Sequence, residues 1–213
     1  MVERVIGWSL PLEGIEAVGF DAFGTLIDYP LRPHPYRRLF EQERMNDTDG
    51  GDQSLRRRIL TSPQTLEQLA VGCGLESQLP TMQDELAREL AAVRLYPDVV
   101  DSIRKLRAAG YRIGVCSNLA QAYGDIVRKL LGDYVDALVL SFEVGLVKPE
   151  QEIFAHLSDR LGVAAGATIF IGDSVASDVH GATRAGLTGR QIRRESGQTL
   201  RDVLGYVAGR GRP

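Results

Sequence analysis

The feature that most constrains this chain is an alternation. From about Glu16 onward, short apolar runs recur between amphipathic segments of helical period, with one long interruption. A run of four or five apolar residues bounded by turn signals suits a strand buried on both faces. Strands separated by helices assemble into a parallel sheet covered on both sides. The sequence predicts strands at Ala17–Phe20, Arg112–Cys116, Ala137–Leu140, Thr168–Ile171 and, with a weaker pattern, Thr188–Ile192. Between them, 98–109 sets Val99, Ile103 and Leu106 on one face and stops at Gly110. The segment 150–161 follows Pro149, stacks Ile153, Phe154, Leu157 and Leu161, and stops at Gly162, while a third helix over 175–185 stops at Gly186. Glycine just past the last periodic residue is a natural helix stop. The predicted fold is α/β, a Rossmann-like three-layer core around a parallel sheet.

The interruption runs from about Tyr29 to Leu95 and shows no strand pattern. It offers helices near 36–45, 55–60, 63–71 and 82–93 around a polar loop at 46–53, with Ser62 before Pro63, and Thr81, as helix starts. We therefore expect a small helical domain, 29–95, inserted into an α/β domain made of 1–28 and 96–213. Its hinges fall near 28–35 and 96–97. Val2–Trp8 is expected to add an edge strand or an oligomer contact.

Composition narrows the function. At 213 residues the chain can bury one good core, and its net charge of -3 gives no basic field for nucleic acid. Without a signal-peptide pattern or an apolar run long enough for a bilayer, a cytoplasmic protein with no membrane partner is expected. Two cysteines, Cys73 and Cys116, are too few for a disulfide framework, and Cys116 reads as a small buried hydrophobe. Only three of the 25 basic residues are lysines, which draws the eye to Lys148. His34, His156 and His180 read as solvated or structural, and the basic runs Arg37-Arg38 and 56–58 as solvated helix faces.

Four segments carry chemistry. In Val18-Gly-Phe-Asp21-Ala-Phe-Gly-Thr25-Leu-Ile27 an apolar strand ends abruptly in a carboxylate, which Gly24 and Thr25 then turn away from. Ile113-Gly-Val-Cys-Ser117-Asn118, Val147-Lys148-Pro149 and Ile169-Phe-Ile-Gly172-Asp173-Ser-Val-Ala-Ser-Asp178 follow in order. Ligands of parallel α/β sheets sit at the carboxyl ends of strands, and Asp21, Ser117 and Asp173 each lie just past one. Together the four segments resemble the motifs of the haloacid dehalogenase-like (HAD) hydrolases, over about 16–207. That resemblance implies a helical cap over the active site, with Asp21 as a nucleophile that forms a covalent intermediate. It further implies that Ser117, Asn118 and nearby N–H groups hold the substrate anion, that Thr25 braces the nucleophile loop, and that Lys148 offsets the crowded negative charge. Magnesium would be held by Asp21, Asp173 and the carbonyl of Phe23, with Asp178 as a direct or supporting ligand, in the oxygen-rich shell this ion prefers.

One position departs from the pattern. Most phosphatases of the superfamily carry a second Asp two residues after the nucleophile, where this chain has Phe23. A phosphatase lacking that acid loses a positioned proton donor, ordinarily worth roughly 10²–10⁴ in rate. The haloacid dehalogenases commonly have an aromatic residue there, since halide leaves without a proton and no metal is needed. Asp173, in contrast, is foreign to that branch and would repel a carboxylate substrate unless a cation lies between them. Three readings follow: magnesium-dependent phosphoryl hydrolysis or transfer on a small anionic metabolite, dehalogenation at carbon with Asp178 activating water, or a catalytically weak domain that binds a metabolite or protein. Both a monomer and a homodimer are compatible with the sequence.

Overall fold

The computed structural model describes residues 13–31, 34–46 and 51–208, so the expected strand at Val2–Trp8 lies outside the described residues. Strands β1 (Ala17–Phe20), β2 (Ile27–Asp28), β3 (Arg94–Leu95), β4 (Arg112–Ser117), β5 (Ala137–Leu140), β6 (Thr168–Gly172) and β7 (Thr188–Gln191) follow along the chain. Five of them form one parallel sheet in the order β5-β4-β1-β6-β7. From the central β1 the chain builds outward to β4 and β5, then crosses to β6 and β7 on the other side. The carboxyl end of β1 is therefore the topological switch point, where an open α/β sheet has its ligand crevice.

Helices α1 (Arg37–Asn46), α2 (Gly51–Thr61), α3 (Leu66–Gly72) and α4 (Leu79–Ala92) fill the interval between β2 and β3. After β3 come α5 (Val99–Ala108), α6 (Gly124–Leu131), α7 (Ser141–Val144), α8 (Gln151–Leu161), α9 (Gly181–Arg184) and α10 (Leu200–Ala208). Strand side chains alternate between two faces, and each face has its own core. Val18, Phe20, Ile113, Val115, Ile169 and Ile171 pack with apolar residues of α5, α6 and α10. Ala17, Cys116, Val139 and Phe170 pack with Ile153, Phe154, Leu157 and Leu161 of α8. Gly114 lets α8 approach closely: a β-carbon there would sit 2.7 Å from Leu157 Cδ1. A third cluster joins Tyr36, Leu39, Leu55, Ile59, Leu69 and Met82 within the helical interval, and Ala120 from the sheet side reaches into it.

Several expectations change in detail. The interval 29–95 does contain strand: Arg94–Leu95 pairs antiparallel with Ile27–Asp28, tying together the two ends at which the helical segment leaves and rejoins the sheet domain. The third helix starts at Leu66 rather than Pro63, because Thr65 and Gln68 form a reciprocal capping box. The fourth starts at Leu79, with Pro80 in its first turn, rather than near Thr81. The segment 175–185 is a π-helical turn over Val175–His180 followed by the short α9, since the N–H of Val179 reaches back to the carbonyl of Ser174.

Leu157 is fully buried between α8 and the sheet. Leu157→Ala should cost about 2–5 kcal/mol, read as a lower urea midpoint at unchanged slope; a loss below about 0.5 kcal/mol, the scale of a surface change, would place α8 outside the packed core.

Candidate active site

Asp21 follows the last residue of β1, and its N–H donates to the carbonyl of Ile171 on the adjacent β6 (2.9 Å). The turn after it closes at once: the N–H groups of Leu26 and Ile27 both bond the carbonyl of Ala22, and Gly24 takes φ +76°. Gly24 is required here twice over, because that φ strains any L side chain and a β-carbon would lie 2.5 Å from Asp173 Oδ2. Backbone geometry thus brings the fourth motif against the first.

Lys148 is the hub of the site. Its Nζ donates to Asp21 Oδ1 and to Asp178 Oδ1, both at 2.6 Å, with the Lys148 side chain only 3% exposed. Ser117, the last residue of β4, donates its hydroxyl to the same Asp21 oxygen at 3.0 Å. Among the described residues no hydrogen bond reaches Asp21 Oδ2. Asn118 fixes the lysine from behind: its side-chain amide donates to the Lys148 carbonyl and accepts from the Lys148 N–H, each at 2.8 Å. Its place in the structure is to hold the lysine's main chain. The remaining Asp178 oxygen accepts from the N–H of Ser174 at 2.9 Å, which accounts for the tight turn before α9. Gly172 is obligatory beside it, since a β-carbon would lie 2.3 Å from the Asp178 carboxyl carbon.

Burial and charge set the protonation states. Burial raises the Asp21 carboxyl to about 6, with Lys148 pulling it down and Asp178 pushing it up. For Lys148, burial disfavours the charge, but Asp21 and Asp178 outweigh it and hold the ammonium above the usual lysine range. Asp173 lies at the edge of the site, where partial withdrawal from water, followed by Asp178, raises its carboxyl. Cys116, buried beneath, has its thiol pushed up to about 12 by burial, so it is an inert core residue as expected.

Asp21, Asp173 and Asp178 offer carboxylate oxygens all within 4.8 Å of one another. Such an all-oxygen set, with one Asp21 oxygen uncommitted, fits a hard divalent cation such as magnesium. Ser174 rather than Asp173 caps the following turn, accepting from the N–H of Ser177, so capping does not account for the Asp173 carboxylate. Thr25 behaves differently from expectation. Its hydroxyl is buried without a hydrogen-bond partner, and the loop is held instead through its carbonyl.

The group that holds that carbonyl is Arg194, which the motifs gave no means of finding. Its Nε and Nη2 donate to the Thr25 carbonyl at 2.9 and 2.8 Å, and its Nη1 donates to both oxygens of Asp98. The guanidinium also lies 4.3 Å from the Tyr96 ring centroid. Arg194 thereby ties the loop after Asp21 to the start of α5, across 169 residues of chain. The one local hint is its position just after the last strand.

A cavity of about 1150 Å³ opens between this crevice and the helical segment. Phe23, Asn118, Lys148 and Ser177 line it on the sheet side, while Tyr36, Phe40, Arg56 and Glu89 line it on the helical side. Phe23 stands edge-on to Tyr29 and Tyr123, at centroid distances of 5.7 and 5.6 Å. His34, exposed and with a positive φ of 55°, lies at the cavity wall, whereas His156 on α8 and the exposed His180 are not among its lining residues. Of the basic runs, Arg37 pairs with Glu41, Arg38 with Glu85 and Arg57 with Glu150.

Strand order, the switch-point aspartate and the lysine between two carboxylates define a three-layer α/β hydrolase. Residues 15–186 match the family model described as haloacid dehalogenase-like hydrolase, and the chain belongs to that family. It is 33% identical over 114 residues to glyceraldehyde 3-phosphate phosphatase of Methanopyrus kandleri, a match covering 53% of this chain and 49% of that protein. The chain thus spans about half the length of the first such relatives. It is 25% identical to the (S)-2-haloacid dehalogenase of Pseudomonas putida, over 87% of this chain and 88% of the other. Among solved structures, a HAD phosphatase from Thermococcus onnurineus aligns at TM-score 0.58 and 25% identity, covering 87% of this chain and 90% of its own. A HAD family enzyme from Bacteroides thetaiotaomicron, solved as a magnesium complex, aligns at TM-score 0.64 and 21% identity, covering 85% and 94%. This last likeness speaks to the fold alone. Among the described residues no helix is long and apolar enough to cross a membrane.

Arg194→Ala should destabilise the protein by about 2–4 kcal/mol in urea unfolding, because it removes both side-chain donors to the Thr25 carbonyl and, among the described residues, leaves Asp98 with only the Leu200 N–H. Arg194→Lys should recover only part of that, lacking the planar fork; an alanine variant as stable as wild type would remove this tie from the structure's supports.

Proposed function

We propose that the protein hydrolyses or transfers the phosphoryl group of a small anionic metabolite, with Asp21 as nucleophile and magnesium as cofactor. The observation that carries this reading is the charge balance at the switch point. Three carboxylates, Asp21, Asp173 and Asp178, surround one ammonium, Lys148. A substrate anion entering that field needs a further cation, and the donor atoms present are the oxygens that magnesium takes. Asp21 and Asp173 would hold it, together with the main-chain carbonyl of Phe23, with Asp178 as a direct or supporting ligand. When bound, it supplies charge compensation and polarises a phosphoryl oxygen.

A carboxylate oxygen of Asp21 attacks phosphorus, a P–O bond forms to the aspartate, and the bond to the leaving oxygen breaks with its electron pair going to that oxygen. Lys148 and the Ser117 hydroxyl hold the nucleophile, and Lys148 offsets the negative charge that gathers in the transition state. Asn118 and Asp178 keep Lys148 in place. Water then attacks the phosphorus of the aspartyl phosphate, releasing inorganic phosphate and restoring Asp21. Phe23 brings no proton to either step, so weakly basic leaving groups are favoured and hydrolysis of the intermediate is slow. The helical segment 29–95 acts as a cap that covers the crevice, hinged at the β2–β3 pair. We place the protein in the cytoplasm as a monomer or homodimer, with no nucleic-acid or membrane partner.

Phe23 itself favours a second reading, dehalogenation of a 2-haloacid. Asp21 would attack carbon, halide would leave without a proton, and Asp178 would activate the water that cleaves the ester. The likeness to the Pseudomonas putida dehalogenase over most of both chains supports it; the carboxylate of Asp173 opposes it.

The deciding assay is nitrophenol release from p-nitrophenyl phosphate with magnesium and with chelator. Release should require magnesium and fall at least about 10³-fold in Asp21→Asn, as for loss of an essential nucleophile. Activity unaffected by chelator, or retained by Asp21→Asn, would overturn the proposal, and metal-independent halide release from 2-haloacids would establish the second reading in its place.

A further inference from the structure

The helical wall of the cavity carries polar groups that the chemistry at Asp21 does not use. Glu89 on α4 and Tyr36 just before α1 are both nine-tenths buried, both line the cavity, and both hold an unsatisfied atom: Glu89 Oε2 and the Tyr36 hydroxyl have no hydrogen-bond partner. Leaving such a buried atom unpaired is costly, so a folded chain ordinarily avoids it. Tyr123 joins the pair from the sheet side, its ring 6.2 Å from that of Tyr36. Phe23, Tyr29 and Phe40 give the cavity apolar surface, and Arg37, Arg44, Arg56 and Arg57 line it as well. Burial holds the Glu89 carboxyl above its usual range, offset in part by Tyr123 and His34.

We propose that Tyr36, Glu89 and Tyr123 form a leaving-group subsite that selects phosphomonoesters whose leaving group presents a hydrogen-bond donor, a hydroxyl or an ammonium, on an otherwise apolar body. Glu89 Oε2 accepts from that donor, and the Tyr36 hydroxyl pairs with the same group. The aromatic rings bury the body that carries it. A carboxylate presented directly to Glu89 is disfavoured, since it sets like charge against Glu89 in a buried site. The inference rests on the phosphoryl reading above, because it is the leaving group of that reaction that occupies the cavity beyond Lys148.

The test is a matched set of 4-nitrophenyl phosphates carrying no further substituent, a hydroxymethyl group or an aminomethyl group. One satisfied donor should raise kcat/KM over the unsubstituted ester by about 5–30-fold, the equivalent of about 1–2 kcal/mol. In Glu89→Leu and Tyr36→Phe, checked for folding by thermal melts, that ratio should collapse toward one. An advantage for the hydroxymethyl ester that survives Glu89→Gln assigns a neutral hydroxyl, while an aminomethyl advantage that Glu89→Gln removes assigns an ammonium. A wild-type ratio near one, or a ratio unchanged in the folded variants, overturns the subsite. If wild type turns over none of the esters, the phosphoryl reading fails by itself, and calorimetry of the same ligands on Asp21→Asn still reads the ratio as binding: preserved, it keeps the subsite; absent, it removes it.

Discussion

Everything at the site depends on one buried ammonium held between two carboxylates. Lys148 Nζ lies 2.6 Å from both Asp21 and Asp178, with the three side chains almost fully withdrawn from water. Taking charges out of water is expensive, and a buried ion pair is often no more stabilising than apolar residues of the same volume. The arrangement therefore makes little sense as a stability device. It makes sense as preorganised charge, positioned before any substrate arrives. The surrounding sequence serves it: Asn118 clamps the lysine's main chain, Gly172 leaves room for the Asp178 carboxyl, and the π-helical turn after Ser174 delivers that carboxyl to the lysine.

Phe23 gives this site its particular character. Where an acid would stand, its ring packs edge-on between Tyr29 just after β2 and Tyr123 on the sheet side, and Tyr123 in turn meets Tyr36 from the helical segment. The first turn after Asp21 is thus part of an aromatic wall that runs from Tyr29 into the cavity. In the proposed reaction, what the site gives up in proton transfer it gains in apolar surface facing the leaving group. The proposed subsite then assigns selectivity to the polar groups that remain there, Glu89 and the two tyrosine hydroxyls.

Much of the architecture was legible because buried parallel strands leave a plain signature. The apolar runs at Ala17–Phe20, Ala137–Leu140 and Thr168–Ile171 are hydrophobic on both faces, and each is a strand within a residue of its expected bounds. Asp21, Ser117, Lys148, Asp173 and Asp178 could be singled out because each follows a strand or a local motif, and the structure brings all five to one crevice. What the sequence hid was set by distant partners. Arg94–Leu95 is a strand only because Ile27–Asp28 lies beside it, and two residues carry no period of their own. The π turn at Val175–His180 exists because Asp178 is drawn toward Lys148 and Ser174, a tertiary pull that helical periodicity cannot express. Arg194 and Glu89 belong to no motif, and only folding shows that one grips the loop after Asp21 and the other faces the cavity.

The central claim is that Asp21 forms the covalent intermediate. Because Phe23 leaves water poorly activated in the second step, that intermediate should accumulate during turnover. Acid quenching of the enzyme during turnover of p-nitrophenyl phosphate, followed by peptide mass spectrometry, should find one phosphoryl group on the peptide containing Asp21. Product formed while that carboxylate stays unmodified, or a phosphoryl group on any other residue, would contradict the account.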